Sequence, residues 1–224
     1  MPVYSGGMET ANRGNGWTVP VIVAVAFALP LLAPGTPPAG LQERFAAGAV
    51  QSCSQFLFLI AIIVASGRSR QFGPWAPRPR DVPAAAILFV VLALAGMAAA
   101  AASRALGWSV PVVAVPNGPP SARLVATALA FAFGVGYREE LFYRVYLTGE
   151  LTGRGVAAPA AAAASTLLFA AFHIHQGPAG MLSAALAGAI LSAALARGVG
   201  LHGLAWAHAA YDLAVIAGTY GHVR

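Results

Sequence analysis

The chain is expected to fold as an all-α, polytopic bundle of about seven transmembrane helices, and three features of the sequence predict it. Of its 224 residues, 58% are hydrophobic and only 9% are charged, against roughly 25% charged in an ordinary soluble domain. Seven acidic and 13 basic side chains cannot coat a globule of this size. The apolar residues fall into runs of the ~17–25 residues that a membrane helix needs. The stretches between these runs are short.

The runs are 17–33, 46–66, 83–103, 122–147, 157–176, 179–197 and 199–218. The first is framed by Pro20 and Pro30 and ends Leu31-Leu32-Ala33, which resembles a cleavage region; it is long for a signal peptide and is read as a retained helix. The second holds Cys53, the sole cysteine, which excludes an internal disulfide and a Cys/His zinc cluster. The later runs are rich in Ala and Gly, so their helices can approach closely. Thr36-Pro37-Pro38 and the stretch from Pro116 to Pro120 read as turns. No repeat or linker separates a second domain, so 1–224 is expected to form a single integral membrane domain.

The net charge of +6 does not indicate a nucleic-acid partner. All 13 basic residues are Arg, which fits a GC-rich, bacterial genome, and they sit between apolar runs rather than along one stripe. The partner is the lipid bilayer of a cell membrane. Loop 67–82 carries Arg68, Arg70, Arg78 and Arg80 against Asp81. The positive-inside rule then puts it in the cytoplasm, the N-terminus inside and the C-terminus outside.

Polar residues inside the apolar runs carry the functional information, because a charge at mid-bilayer costs about 2.5–3.5 kcal/mol on insertion scales. Arg138, Glu139, Glu140 and Arg144 fall within the fourth run. Glu140 and Arg144 stand at i and i+4, the spacing of an ion pair on one helical face. Glu139 is rotated by about 100° from its neighbour, so Arg144 serves it less well and it is left for chemistry. His173 ends the fifth run, and His175 points to a different face as an interfacial residue. In the seventh run His208 and Asp212 again stand at i and i+4, where a carboxylate can orient an imidazole.

These segments are expected to converge. The fourth and fifth helices form an antiparallel pair about a turn near 151–156, which brings Glu139 and His173 to similar depth at 1.5 Å per residue. His208, some nine residues into the seventh run, comes within about 10 Å of that level if the helices tilt normally. One cavity then holds a Glu, two His and an Asp.

The pattern resembles a known family. Glu139-Glu140-Leu141-Phe142-Tyr143-Arg144 matches EExxxR, Phe169-Ala170-Ala171-Phe172-His173 matches FxxxH, and His208-Ala209-Ala210-Tyr211-Asp212 matches HxxxN/D. In this order they are similar to the signature of the CPBP family, the CAAX proteases and bacteriocin-processing enzymes, also called Abi. The resemblance covers about 122–218. It implies an intramembrane endopeptidase acting on a peptide or membrane-protein substrate. It further implies that Glu139 activates water with His173 assisting, that His208 and the residue at 212 hold the oxyanion, that Glu140 and Arg144 support them, and that Phe169 packs alongside. Many relatives carry Asn where this chain has Asp212. An ionised Asp cannot donate to an oxyanion, so Asp212 is protonated, or orients His208, or binds metal.

Glu139, His173, His208 and Asp212 also form a two-His, two-carboxylate set for Zn²⁺. The absence of HExxH favours chemistry without an obligatory metal. No GxSxG serine elbow is present, and Asp212 has no GxGD partner for an aspartyl dyad. The competing classes are a non-proteolytic bacteriocin-immunity or scaffold protein of the same family and a proton-coupled transporter. Maturation of a leader or membrane peptide is the expected activity, rather than cleavage of prenylated proteins.

Overall fold

A computed structural model describes residues 16, 20–23, 25, 27, 40–66, 75–110 and 119–220. The chain divides into a short unit, 1–35, and a large one, 36–224. In the short unit residues 20–23, 25 and 27 are helical; the rest of the first run, the cleavage-like Leu31-Leu32-Ala33, the turn Thr36-Pro37-Pro38, Arg68, Arg70 and Pro116 lie outside the described residues.

The large unit is all-helical among the described residues, as the composition predicts. Helix α1 spans Leu41–Ala65, α2 Asp81–Ala105 and α3 Ala122–Glu139. A π-helical segment, Glu140–Leu147, then leads to the short α4, Thr148–Gly153. Helix α5 is Ala158–Ala171, followed by a 3₁₀ turn at Ile174–Gln176, α6 at Gly177–Ala196 and α7 at Leu201–Tyr220.

Three stretches among the described residues are long and apolar enough to cross a bilayer: Leu41–Ala65, Asp81–Ala105 and Ile174–Ala196. The all-helical bundle agrees with the expected polytopic class of about seven membrane helices, and length and composition single out these three. Helix α5 has 14 residues, about 21 Å at 1.5 Å each, short of a ~30 Å hydrocarbon core. The segments carrying Arg138 to Arg144 and His202 to Asp212 are diluted by polar groups.

Two boundaries differ from the apolar runs for physical reasons. The fifth run does not continue as one helix to 176. Ala171 is its last helical residue, and Gly177 at φ +72 reverses the chain before Pro178 opens α6, so His173 sits in a turn. The fourth run is not uniformly α-helical: it widens to i→i+5 bonding from Glu140 onward. There the fully buried hydroxyl of Ser165 on α5 donates to the Tyr143 carbonyl at 2.7 Å. This bond also sets the register of the antiparallel pair. Four residues back from Tyr143 and four on from Ser165, Glu139 comes roughly level with Phe169, and His173 lies about one turn beyond.

Helix α3 packs between α1 and α7, and α7 also packs on α2. The α3–α7 contact is close because of Gly136. A Cβ there would lie 2.7 Å from the Ala205 carbonyl oxygen and 3.3 Å from the Ala209 nitrogen. Both are backbone atoms, so neither can yield by rotating. We expect Gly136→Ala to push the two helices apart and to cost about 1–3 kcal/mol, the usual range for overpacking. A thermal midpoint equal to wild type in detergent would refute this.

The start of α7 is tied by hydrogen bonds. His202 Nε2 donates to the Trp75 carbonyl at 3.0 Å, which leaves Nδ1 to accept from the Tyr137 hydroxyl at 2.8 Å. Trp206 Nε1 donates to the same hydroxyl at 2.7 Å. Tyr137 thereby joins α3, α7 and the segment before α2, two residues from the first site carboxylate.

Candidate active site

The two adjacent carboxylates take separate partners. Glu140 and Arg144 are both fully buried, with Oε2 3.4 Å from Nε. The guanidinium carbon lies 4.2 Å from the Phe169 ring centroid and 5.6 Å from that of Tyr143. A cation held over aromatic faces in a dry interior gains from the ring quadrupoles. Gly188 on α6 leaves room for it: a Cβ there would come 3.3 Å from Arg144 Nη2.

The other oxygen of Glu140 holds His208, with Oε1 2.8 Å from Nδ1. A carboxylate paired with arginine accepts, so Nδ1 carries the hydrogen. This fixes the ring and leaves Nε2 as its working atom. Nε2 stands 3.8 Å from Glu139 Oε2 and 3.8 Å from Asp212 Oδ1. Both gaps exceed a hydrogen bond, and each is a span that one water can bridge.

Glu139 is paired as well. Its Oε1 accepts from Arg138, which in turn donates to Gln55 of α1 at 3.3 Å. Glu139 Oε2 has no hydrogen-bond partner among the described residues, and it is the oxygen that faces His208. Its guanidinium partner is thus Arg138, the preceding residue, rather than Arg144.

His173 reaches the site by leaning back. Its Nδ1 donates to the Phe169 carbonyl at 2.7 Å, so Nε2 keeps its lone pair. The Phe169 ring lies 4.6 Å from the His173 ring and 6.1 Å from the His208 ring, centroid to centroid. Phe169 is therefore the hub on which Arg144, His173 and His208 all rest. His173 is joined to the other site groups through this ring and a shared cavity. His175 is exposed and does not line that cavity.

The cavity has a volume of about 440 Å³ and is bounded by α2, α5, α6 and α7. His173, His208, Asp212 and Phe169 line it. Glu139, Glu140 and Arg144 stand behind, reached through His208 and Phe169. Val110 and Gln176 also line the cavity, so it reaches the loops that follow α2 and α5.

As arranged, no three His, Cys, Asp or Glu side chains among the described residues group as a metal site. The arrangement sets Glu139 Oε2, which has no hydrogen-bond partner among the described residues, 3.8 Å from Nε2 of a His208 of defined tautomer.

Sequence spacing did not expose the roles of Arg138, Gly136 and Gly188. The adjacency of Arg138 to Glu139 was visible, but pairing between consecutive residues is not a helical rule. The two glycines matter only because other helices lie against them.

The family model for type II CAAX prenyl endopeptidases, Rce1-like, matches residues 121–214. That stretch contains all three motifs. No curated protein and no solved structure matches the chain significantly.

Proposed function

With residues 121–214 matching the Rce1-like CAAX endopeptidases, a family of proteases, we propose that this membrane protein is a multi-pass intramembrane endopeptidase of the glutamate type. The observation that carries the reading is His208: held by Glu140 at Nδ1, it presents Nε2 across 3.8 Å to the unpartnered oxygen of Glu139.

In this mechanism Glu139 Oε2 takes a proton from a water lying between it and the scissile carbonyl carbon. Arg138 keeps the carboxylate oriented through Oε1. His173, whose Nε2 keeps its lone pair, accepts a hydrogen bond from the same water and orients it, and the proton held by Glu139 passes to the leaving amine as the C–N bond breaks. Attack moves the carbonyl electrons onto oxygen, and His208 as imidazolium donates Nε2–H to that oxyanion. Asp212, protonated, adds a second donor. Glu140 and Arg144 touch no substrate; they hold His208 and Phe169 in place. The substrate is a peptide or a membrane-protein segment that reaches the cavity from the end near Val110 and Gln176. Maturation of a leader or membrane peptide in a bacterial cell membrane fits it best.

Comparative analysis of membrane peptides from cells making wild type, Glu139→Ala or His173→Ala tests this. We expect a defined set of cleaved peptides with wild type that is absent from both variants. Identical peptide profiles in all three would instead favour a non-proteolytic immunity or scaffold role.

A further inference from the structure

The catalytic cavity has a polar feature that the mechanism leaves unused. Along α2 its lining follows one helical face, including Leu92, Gly96, Ala99 and Ser103. All but the last are apolar or small. Ser103 is fully buried, and its hydroxyl has no hydrogen-bond partner among the described residues. A helical serine ordinarily turns its hydroxyl back to the carbonyl one turn earlier, as Ser54 does to Val50 at 2.8 Å. Leaving a buried hydroxyl unpaired costs about 1–3 kcal/mol.

Its position along the cavity is informative. Gly96 marks the level of the catalytic end, because a Cβ there would meet the hydroxyl of Tyr211, the neighbour of Asp212. Ser103 is seven residues further on, about 10 Å along the helix at 1.5 Å per residue. An extended peptide advances about 3.3 Å per residue, so this offset corresponds to about three residues. Ser103 also stands near the C-terminal end of α2, from which the chain runs on to Val110, another lining residue.

We propose that Ser103 is a substrate-binding residue whose hydroxyl pairs with the main chain of a peptide lying in the catalytic cavity, about three residues from the bond that is cut. The assignment rests on the peptidase reading above. The unpaired hydroxyl destabilises the free protein and gains its partner only when the cavity is filled. An extended main chain can supply that partner whatever its side chains, so Ser103 contributes to binding and registers the substrate along the cavity.

The test uses the purified full-length protein, Ser103→Ala and Glu139→Ala, with a peptide that wild type cleaves. We expect Ser103→Ala to raise KM about tenfold with kcat nearly unchanged, the mark of lost binding common to ground and transition states. We also expect its thermal midpoint to be equal to wild type or a few degrees higher, since the substitution removes an unsatisfied group. A serine serving only the fold would show the opposite, a lower midpoint. An unchanged KM, or a lowered midpoint, overturns the proposal. Cleavage by Glu139→Ala takes down the glutamate-type peptidase reading and this inference with it. An inactive Glu139→Ala alongside a Ser103→Ala of wild-type KM removes Ser103 alone.

Discussion

Glu139→Gln lowers kcat for peptide cleavage by about 10²–10⁴, the range for removal of a positioned general base, and leaves KM close to wild type. The amide keeps the size of the carboxylate, and its oxygen can still accept from Arg138, so packing is retained. What it loses is the ability of the second oxygen to take a proton. That oxygen is the one facing His208 Nε2 at 3.8 Å without a hydrogen-bond partner among the described residues. Steady-state kinetics on a peptide substrate, with the thermal midpoint measured alongside, check this. A Gln variant with kcat within about threefold of wild type, a barrier change well under 1 kcal/mol, would remove Glu139 from the chemistry.

Glu140→Ala has its largest effect on the fold. The carboxylate serves two partners, Arg144 at 3.4 Å and His208 at 2.8 Å. Deleting it leaves a fully buried guanidinium without its counter-charge and an imidazole without its anchor. Removing one partner of a buried ion pair costs about 3–5 kcal/mol. For a domain of this size each kcal/mol moves the midpoint by about 2–4 °C, so a drop of roughly 10 °C is expected. Activity falls as well, since His208 loses its fixed orientation. Combining the change with Arg144→Leu recovers much of the stability, because the unpaired charge is gone and an apolar side chain fills the space. It does not recover activity, because His208 stays unanchored. A single variant as stable as wild type, or a double variant as active, would contradict this arrangement.

Much of this protein was legible from spacing. Residence in a bilayer follows from 9% charged residues, because so few charges cannot solvate a soluble surface. The pair Glu140–Arg144 follows from the i,i+4 rule, and so does the placing of His208 and Asp212 on one face. These are local properties, set by the helical repeat before any two helices meet.

Other features were not legible, and each depends on which helix faces which. His208 takes its closest carboxylate from Glu140, 68 residues away, rather than from Asp212 one turn on. That choice is decided by the close α3–α7 contact at Gly136, which brings the start of the π segment against α7. The π segment has no periodic signature of its own; at its centre the Tyr143 carbonyl is met by a hydroxyl from α5.

What the sequence alone determined, then, is the solvent, the helical class and the set of chemically unusual residues. Only the tertiary structure decided the remaining contacts: Arg138 with Glu139, Glu140 with His208 as well as Arg144, and Phe169 beneath Arg144 and both imidazoles. The physical reason is range. Periodicity specifies the angle at which a side chain leaves its helix, whereas a hydrogen bond or ion pair is selected by distances of 3–4 Å across an interface, and those are set by where glycines let two backbones touch.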